Sequence, residues 1–206
     1  MLKIWGRDTS SNVQKVLWIC EELNLNYERI NVGGQYGGLE SEEFRKLNPH
    51  LKIPVINDNG FILYESHAII RYIAAEYGKE KFKLINNQEQ GFVDKYIDWV
   101  HTELTKYMIP VLIGLIRTKP EKRDMTSINY NNTQSEKQWE LLDKHLENNK
   151  WISTSNFSLA DICCGVWVWR RYNLDTENKK LNNIDRWFEE LKKIDSYKKI
   201  VMKPLS

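Results

Sequence analysis

Leu51-Lys52-Ile53-Pro54-Val55-Ile56-Asn57-Asp58-Asn59-Gly60-Phe61-Ile62-Leu63-Tyr64-Glu65-Ser66 is the stretch that decides the fold. A short apolar run from Pro54 to Asn57 and a second from Phe61 to Tyr64 flank Asp58-Asn59-Gly60. An Asn-Gly pair between two such runs predicts a β-hairpin. Pro54 fixes φ and lacks an N–H, which suits the first residue of a strand. Glu65-Ser66 then opens a helix, with Ala68, Ile69, Tyr72, Ile73 and Tyr77 on one face. A polar pair at a helix N-terminus, directly after a hairpin, suits the main chain and carboxylate of a small peptide-like molecule.

Upstream of the hairpin, Leu2, Ile4 and Trp5 predict a first strand, and the polar turn Gly6 to Asn12 leads into a helix. That helix carries Val13, Val16, Leu17, Ile19, Cys20 and Leu23 at helical spacing, with Ser10, Ser11 and Asn12 favouring its start. Tyr27 to Val32 reads as a second strand, and Gly33-Gly34-Gln35-Tyr36-Gly37-Gly38 as a loop. A short helix over Ser41 to Leu47 stops at Asn48-Pro49. The order strand, helix, strand, helix, hairpin, helix predicts a small α/β domain over residues 1–79.

Past Gly78 the periodicity changes. Lys79 to Asn87 is polar and reads as a linker, and residues 88–206 carry helical spacing throughout, predicting an all-α domain. One long helix starts around Phe92, Tyr96 and Trp99 and reaches a bend near Pro110, and Lys119-Pro120 interrupts the pattern. Helices follow over Asn129 to Leu146, from Ser158 through Trp169, and over Ile184 to Ile194. Ser158 and Asp161 have the spacing of a capping box. Trp139, Trp151 and Trp187 are assigned to packing.

Composition narrows the function classes. The 206 residues hold 30 basic and 28 acidic side chains, interspersed, for a net charge of +2, which disfavours a nucleic-acid partner. The longest apolar run, Ile109 to Ile116, contains Pro110 and Gly114 and is too short to span a membrane. The opening Met-Leu-Lys-Ile-Trp-Gly enters a strand directly, and the three cysteines, Cys20, Cys163 and Cys164, form no Cys-x-x-Cys, so a cytoplasmic protein with buried thiols is expected. His50, His67, His101 and His145 never pair at metal-ligand spacing, so no metal is expected. The glycine loop lacks the Lys-Ser/Thr of a phosphate-binding loop, and no Gly-x-Ser-x-Gly elbow exists.

Ser10, Ser11 and Asn12 are the remaining polar cluster, and two readings stand side by side. They cap the first helix, or a hydroxyl among them donates to a thiolate, holding it in its charged form. Together with Glu65-Ser66 they would flank one edge of the sheet.

These segments carry a family resemblance along essentially the whole chain. Asn48-Pro49-His50-Leu51-Lys52-Ile53-Pro54-Val55 resembles the Asn-Pro-x-x-Lys-Val-Pro segment of cytosolic glutathione S-transferases. Leu63-Tyr64-Glu65-Ser66-His67-Ala68-Ile69 resembles their Leu-x-Glu-Ser-x-Ala-Ile segment, and Phe157-Ser158-Leu159-Ala160-Asp161-Ile162 their capping box and hydrophobic staple. Lys3-Ile4-Trp5-Gly6-Arg7, with Ser10-Ser11-Asn12-Val13-Gln14-Lys15-Val16, is similar to the theta/beta-like bacterial branch, where a serine activates the thiol.

The resemblance implies a thioredoxin-like N-terminal domain with a cis bond before Pro54, an all-α C-terminal domain, and glutathione as co-substrate without a metal. It implies that Ile53 and Pro54 meet the cysteinyl part of glutathione, Glu65 and Ser66 its γ-glutamyl end, and Lys52 and Gln35 its glycyl carboxylate. Ser10 falls on the catalytic serine, with Ser11 and Asn12 as rivals. Arg7, His101, Tyr107, Arg117 and Trp167 are the candidates for contact with a hydrophobic electrophile. The implied activity is conjugation of the glutathione thiolate to that electrophile in a detoxifying homodimer. Glutathione-dependent peroxide or disulfide reduction, or a non-catalytic glutathione-binding stress protein, are the alternatives.

Overall fold

The computed structural model describes residues 1–82, 84, 86–153 and 156–206. The chain divides into two compact units, Met1–Lys83 with Lys199–Lys203, and Leu84–Lys198 with Pro204–Ser206.

In the first unit β1 (Leu2–Trp5), α1 (Ser11–Glu22), β2 (Tyr27–Ile30), α2 (Glu42–Leu47), β3 (Val55–Asp58), β4 (Phe61–Tyr64) and α3 (Ser66–Tyr77) follow in order. They form a four-stranded sheet in the order β2-β1-β3-β4. β1 and β2 run parallel and are joined through α1, since a parallel pair needs a crossover. β3 is antiparallel to β1, and β4 to β3. The hairpin turns at Asn59 (φ 50) and Gly60 (φ 102), both left-handed as a tight two-residue turn requires. Asn57 Oδ1 accepts from Gly60 N at 2.7 Å and closes it. β2 ends two residues short of Val32, because its partner β1 ends at Trp5, where Gly6 N donates to Ile30 O at 2.9 Å.

Period-two alternation sorts the sheet's side chains. Trp5, Ile30, Val55 and Tyr64 gather with Phe44 of α2, Ile53 and Leu51 on one face. Ile4 and Ile56, one residue away along the strands, are fully buried on the other face, together with the apolar stripe of α1 and with Ile69 and Ile73 of α3. α3 is tied to the end of β3 by Tyr72 Oη, which donates to Asp58 Oδ2 at 2.8 Å, and by Tyr77 Oη, which donates to the same oxygen.

The second unit holds α4 (Asn87–Trp99), α5 (Thr105–Leu112), α6 (Met125–Leu146), α7 (Leu159–Asn173), α8 (Asn182–Lys193) and most of α9 (Asp195–Ile200). Pro110, where the sequence predicts a bend, lies inside α5. π-helical turns at Val100–Leu104 and Ile113–Arg117 on either side take up the altered hydrogen-bond register. α6 begins one turn before Asn129 because Asp124 Oδ1 accepts from Ser127 N at 3.0 Å, an N-cap on a segment without an apolar stripe. α9 was not expected, being a single short helix with little periodicity.

The predicted capping box on α7 is present, and its acid does more than cap. Asp161, fully buried, accepts from Ser158 N (3.0 Å), Ser158 Oγ (2.9 Å), Ile152 N (3.0 Å) and Trp187 Nε1 (3.0 Å). One carboxylate thereby ties the loop before α7 to α8. Trp139 and Trp187 are fully buried, and Trp151 meets Phe157 edge-on at 5.4 Å, in keeping with packing roles. Cys20, Cys163 and Cys164 are buried thiols outside any disulfide. Burial, with the nearby Glu21 and Asp58 charges, pushes the Cys20 thiol far above its ordinary range, which keeps it protonated and inert. Among the described residues no helix is long and apolar enough to cross a membrane, and no cluster of His, Cys, Asp and Glu is arranged to hold a metal ion.

Candidate functional site

Register across the sheet brings the predicted segments of the first unit together. Ile30 pairs with Trp5, Trp5 with Val55, and Val55 with Tyr64, so these four residues form one row across all four strands. With neighbouring strands about 4.8 Å apart, the row is on the order of 15 Å long. At this end β1 and β2 run out toward Ser10 and Gln35, Ile53-Pro54 leads into β3, and β4 runs out into Glu65-Ser66. The segments lie one to five residues from the row along the chain, within reach of one tripeptide-sized molecule.

Each segment has its own cause. The Ile53-Pro54 bond is cis. Ahead of it, Asn48, almost fully buried, donates through Nδ2 to Lys52 O at 2.8 Å and accepts from His50 N at 3.0 Å, holding the main chain that precedes the proline. The Lys52 side chain is exposed. Gly6 packs so tightly that an added Cβ would lie 2.4 Å from a Val13 methyl and 3.4 Å from Ile53 Cβ, so the turn after β1 rests against the cis bond. Gln35 lies in a 3-10 turn, Gly34–Tyr36, with an exposed side chain. Gly34 (φ 59) would place a Cβ 2.8 Å from Arg7 Cδ, so Arg7 covers this turn, and Arg7 Nη1 donates to Thr9 Oγ1 at 2.5 Å.

At the start of α1, Ser10 occupies the N-cap position in an extended conformation (φ −73°, ψ 126°), and its carbonyl accepts from Gln14 N at 2.8 Å. Its hydroxyl makes no capping hydrogen bond. Ser11 and Asn12 are the first two helical residues, and no acidic residue stands in the first turn to offset the positive end of the helix dipole. At the start of α3, Glu65 sits left-handed (φ 71°) as N-cap with an exposed side chain and no capping bond, while Ser66 at the first helical position is buried. Left-handed backbone at a non-glycine residue is uncommon and costs free energy, and such strain clusters at ligand-binding turns.

The other candidates are in the second unit. His101 lies in the first π-helical turn with an exposed side chain, and Tyr107 is half-buried on α5. Arg117 Nε and Nη2 donate to Ser206 O at 3.3 and 3.1 Å, which occupies its guanidinium. Trp167 is 1 % exposed, with the Arg170 guanidinium 5.6 Å from its ring, so its indole is enclosed by protein.

Comparison with known proteins bears on both units. The model of the glutathione S-transferase N-terminal domain matches residues 5–81, and that of the C-terminal domain residues 98–195. Glutathione S-transferase GstB of Escherichia coli K12 is 34 % identical over the full length of both chains. The chain belongs to the glutathione S-transferase family. Among solved structures, the theta class glutathione S-transferase from the citrus canker pathogen Xanthomonas axonopodis pv. citri, crystallised with glutathione bound, superposes with a TM-score of 0.96 at 31 % identity, covering 100 % of this chain and 99 % of that one. A disulfide-bond oxidoreductase of E. coli K12, YfcG, is 29 % identical over 80 % of this chain and 79 % of its own. The expected family, the transferase class, the thioredoxin-like α/β unit and the helical unit thus stand, as does the likeness to a bacterial theta-class enzyme.

Within this family member the sequence left three residues of the site unremarked. Asn48, Lys15 and His67 enter the sequence reading as members of the segments that carry the resemblance, with Asn48-Pro49 also ending a helix, and no separate role is read for their side chains. Only the folded chain buries Lys15 and brings its amino group 2.8 Å from His67 Nε2 and 3.1 Å from Asn12 Oδ1.

Proposed function

We propose that the chain conjugates the thiolate of glutathione to hydrophobic electrophiles. The observation that carries this reading is the row Ile30-Trp5-Val55-Tyr64, which delivers four polar or backbone-exposing segments to one end of the sheet. Ile53 main-chain groups pair with the cysteinyl part of glutathione. Ser66 and the N-terminus of α3 hold its γ-glutamyl carboxylate, and Glu65 accepts from its ammonium. Lys52 and Gln35 serve the glycyl carboxylate. Ser10 donates to the sulfur, a role supported by its half-exposed position and uncommitted capping geometry. The thiolate sulfur then forms a bond to the electrophilic carbon, whose leaving group departs with the electron pair, and the thiol proton goes to water.

Residues 1–79 serve recognition of glutathione, and 88–206 serve the electrophile, with His101 and Tyr107 as the contacts that their exposure favours. The protein acts in the cytoplasm as a detoxifying homodimer. A second reading, glutathione-dependent disulfide reduction, draws on the likeness to YfcG and on Asn12 at the exposed start of α1.

Incubation with glutathione and a model aryl halide, and separately with a hydroperoxide and a glutathione mixed disulfide, separates the readings. Thioether formation supports conjugation, and reduction alone supports the second reading. Glutathione binding without any turnover would leave a non-catalytic binding protein and overturn both.

A further inference from the structure

A cationic side chain buried within a helix requires a reason, since removing an ammonium from water is costly unless polar partners replace it. Lys15 of α1 is 1 % exposed. Its Nζ donates to Asn12 Oδ1 at 3.1 Å, one turn back on the same helix, and approaches Nε2 of His67 on α3 at 2.8 Å. With the Lys15 ammonium as donor, the imidazole accepts at Nε2 and carries its hydrogen on Nδ1.

The two partners are not arbitrary. Asn12 belongs to the turn that holds Ser10 and Ser11, and His67 follows Ser66 directly. Resting on the glutathione reading above, we infer that Lys15 is a positioning residue that locks the thiol-activating turn of α1 to the γ-glutamyl-binding turn of α3 and adds a fixed positive charge beneath the bound thiolate.

The surrounding charges favour that role. Asp8, the acid of the preceding turn, is already compensated by Lys203 Nζ at 2.8 Å and Arg29 Nη2 at 3.9 Å. α1 has no acidic residue in its first turn, so the Lys15 charge and the helix dipole act in the same direction on an anion placed there. From α3, His67 approaches the Lys15 amino group at 2.8 Å and in its accepting form adds no charge.

The test uses the full chain with glutathione, reading the bound thiol's pKa from thiolate absorbance against pH and from the pH profile of kcat with an aryl halide. Lys15→Met keeps the stem that packs in the core and removes the charge. It is expected to raise the bound thiol's pKa by about one unit, and to lower kcat about tenfold at a pH below both values. Lys15→Arg, keeping the charge, restores most of both.

His67→Phe leaves the charge and removes the acceptor. It is expected to raise the KM for glutathione several-fold, and its effect should combine non-additively with that of Lys15→Met. A bound thiol whose pKa is the same in the parent and in Lys15→Met, together with additive effects of the two substitutions, would overturn the role of Lys15 while leaving conjugation intact. Failure of the parent chain to bind glutathione in calorimetry overturns the reading on which it rests. If Lys15→Met does not fold, the His67→Phe KM and its double with Lys15→Arg decide, since a merely structural lysine gives no KM change.

Discussion

Ser10 and Ser66 sit at two helix starts but have different fates: one hydroxyl is left out of capping at a half-exposed turn, while the other side chain is buried at the first residue of α3. The difference assigns them different kinetic signatures. On the proposed reading, Ser10→Ala removes the donor to the sulfur without touching the peptide anchor, so kcat should fall about a hundredfold with the KM for glutathione nearly constant. The bound thiol's pKa, read by thiolate absorbance, should rise in the same variant. If it stays put, the donor is Ser11 or Asn12. On the proposed reading, Ser66→Ala removes a charge-assisted bond to the γ-glutamyl carboxylate, worth about 2 kcal/mol. It should raise the KM for glutathione on the order of thirtyfold, leaving kcat within a few-fold. Steady-state kinetics on the two variants, run side by side, give opposite patterns if activation and recognition are divided in this way.

At the scale of elements, the segment before α7 shows how one side chain organises a helical unit. Asp161 gathers four donors from three places in the chain, including the indole of Trp187 on α8. Asp161→Asn turns an amide N–H₂ toward donors that cannot accept it, and should lower stability by about 3 kcal/mol in chemical denaturation.

Burial pushes the Asp161 carboxyl up to about 6 despite those donors. Because the folded state binds this proton more tightly than the unfolded chain, with its value near 3.9, the contribution is fully present below about pH 4. It is lost as pH rises through about 6. Asparagine does not titrate, so the stability difference between parent and variant should narrow from pH 4 to pH 7, which denaturation at the two pH values measures.

For the whole molecule, the last residues of the chain complete the first unit. Ile200 O accepts from Gln14 Nε2 at 3.0 Å, Lys199 Nζ bonds Glu21 at 2.7 Å and Lys203 Nζ bonds Asp8 at 2.8 Å. A segment far along the sequence thus braces α1 and the turn that carries Ser10. Burial would raise the Asp8 carboxyl, but the Lys203 hydrogen bond and the Lys203 and Arg29 charges outweigh it and hold the carboxyl below its usual range. This contribution is present above the unfolded value near 4 and disappears as pH falls through the lower folded value. Lys203→Met should therefore cost about 0.5–1 kcal/mol at pH 7, in the range of partly exposed ion pairs, and nothing once Asp8 is protonated in both states. Thermal unfolding of parent and variant at pH 7 and below pH 3 checks the sign.

Much of this was legible in the sequence, because local chemistry governs it. The Asn-Gly hairpin, the helix starts at Ser10 and Glu65, the Ser158–Asp161 box and the switch from alternating to helical periodicity all depend on neighbours a few residues away. Elements that lack such signals were missed, as with the first turn of α6 and all of α9. Local signals in the sequence account for most of the elements, their order and the segments bearing candidate residues. Only the tertiary structure decided that Ile30, Trp5, Val55 and Tyr64 form one row, that Trp167 is enclosed, and that Lys15 joins Asn12 to His67. Those facts depend on strand register and helix packing between residues up to tens of positions apart, where burial and pairing, not local propensity, fix which groups meet.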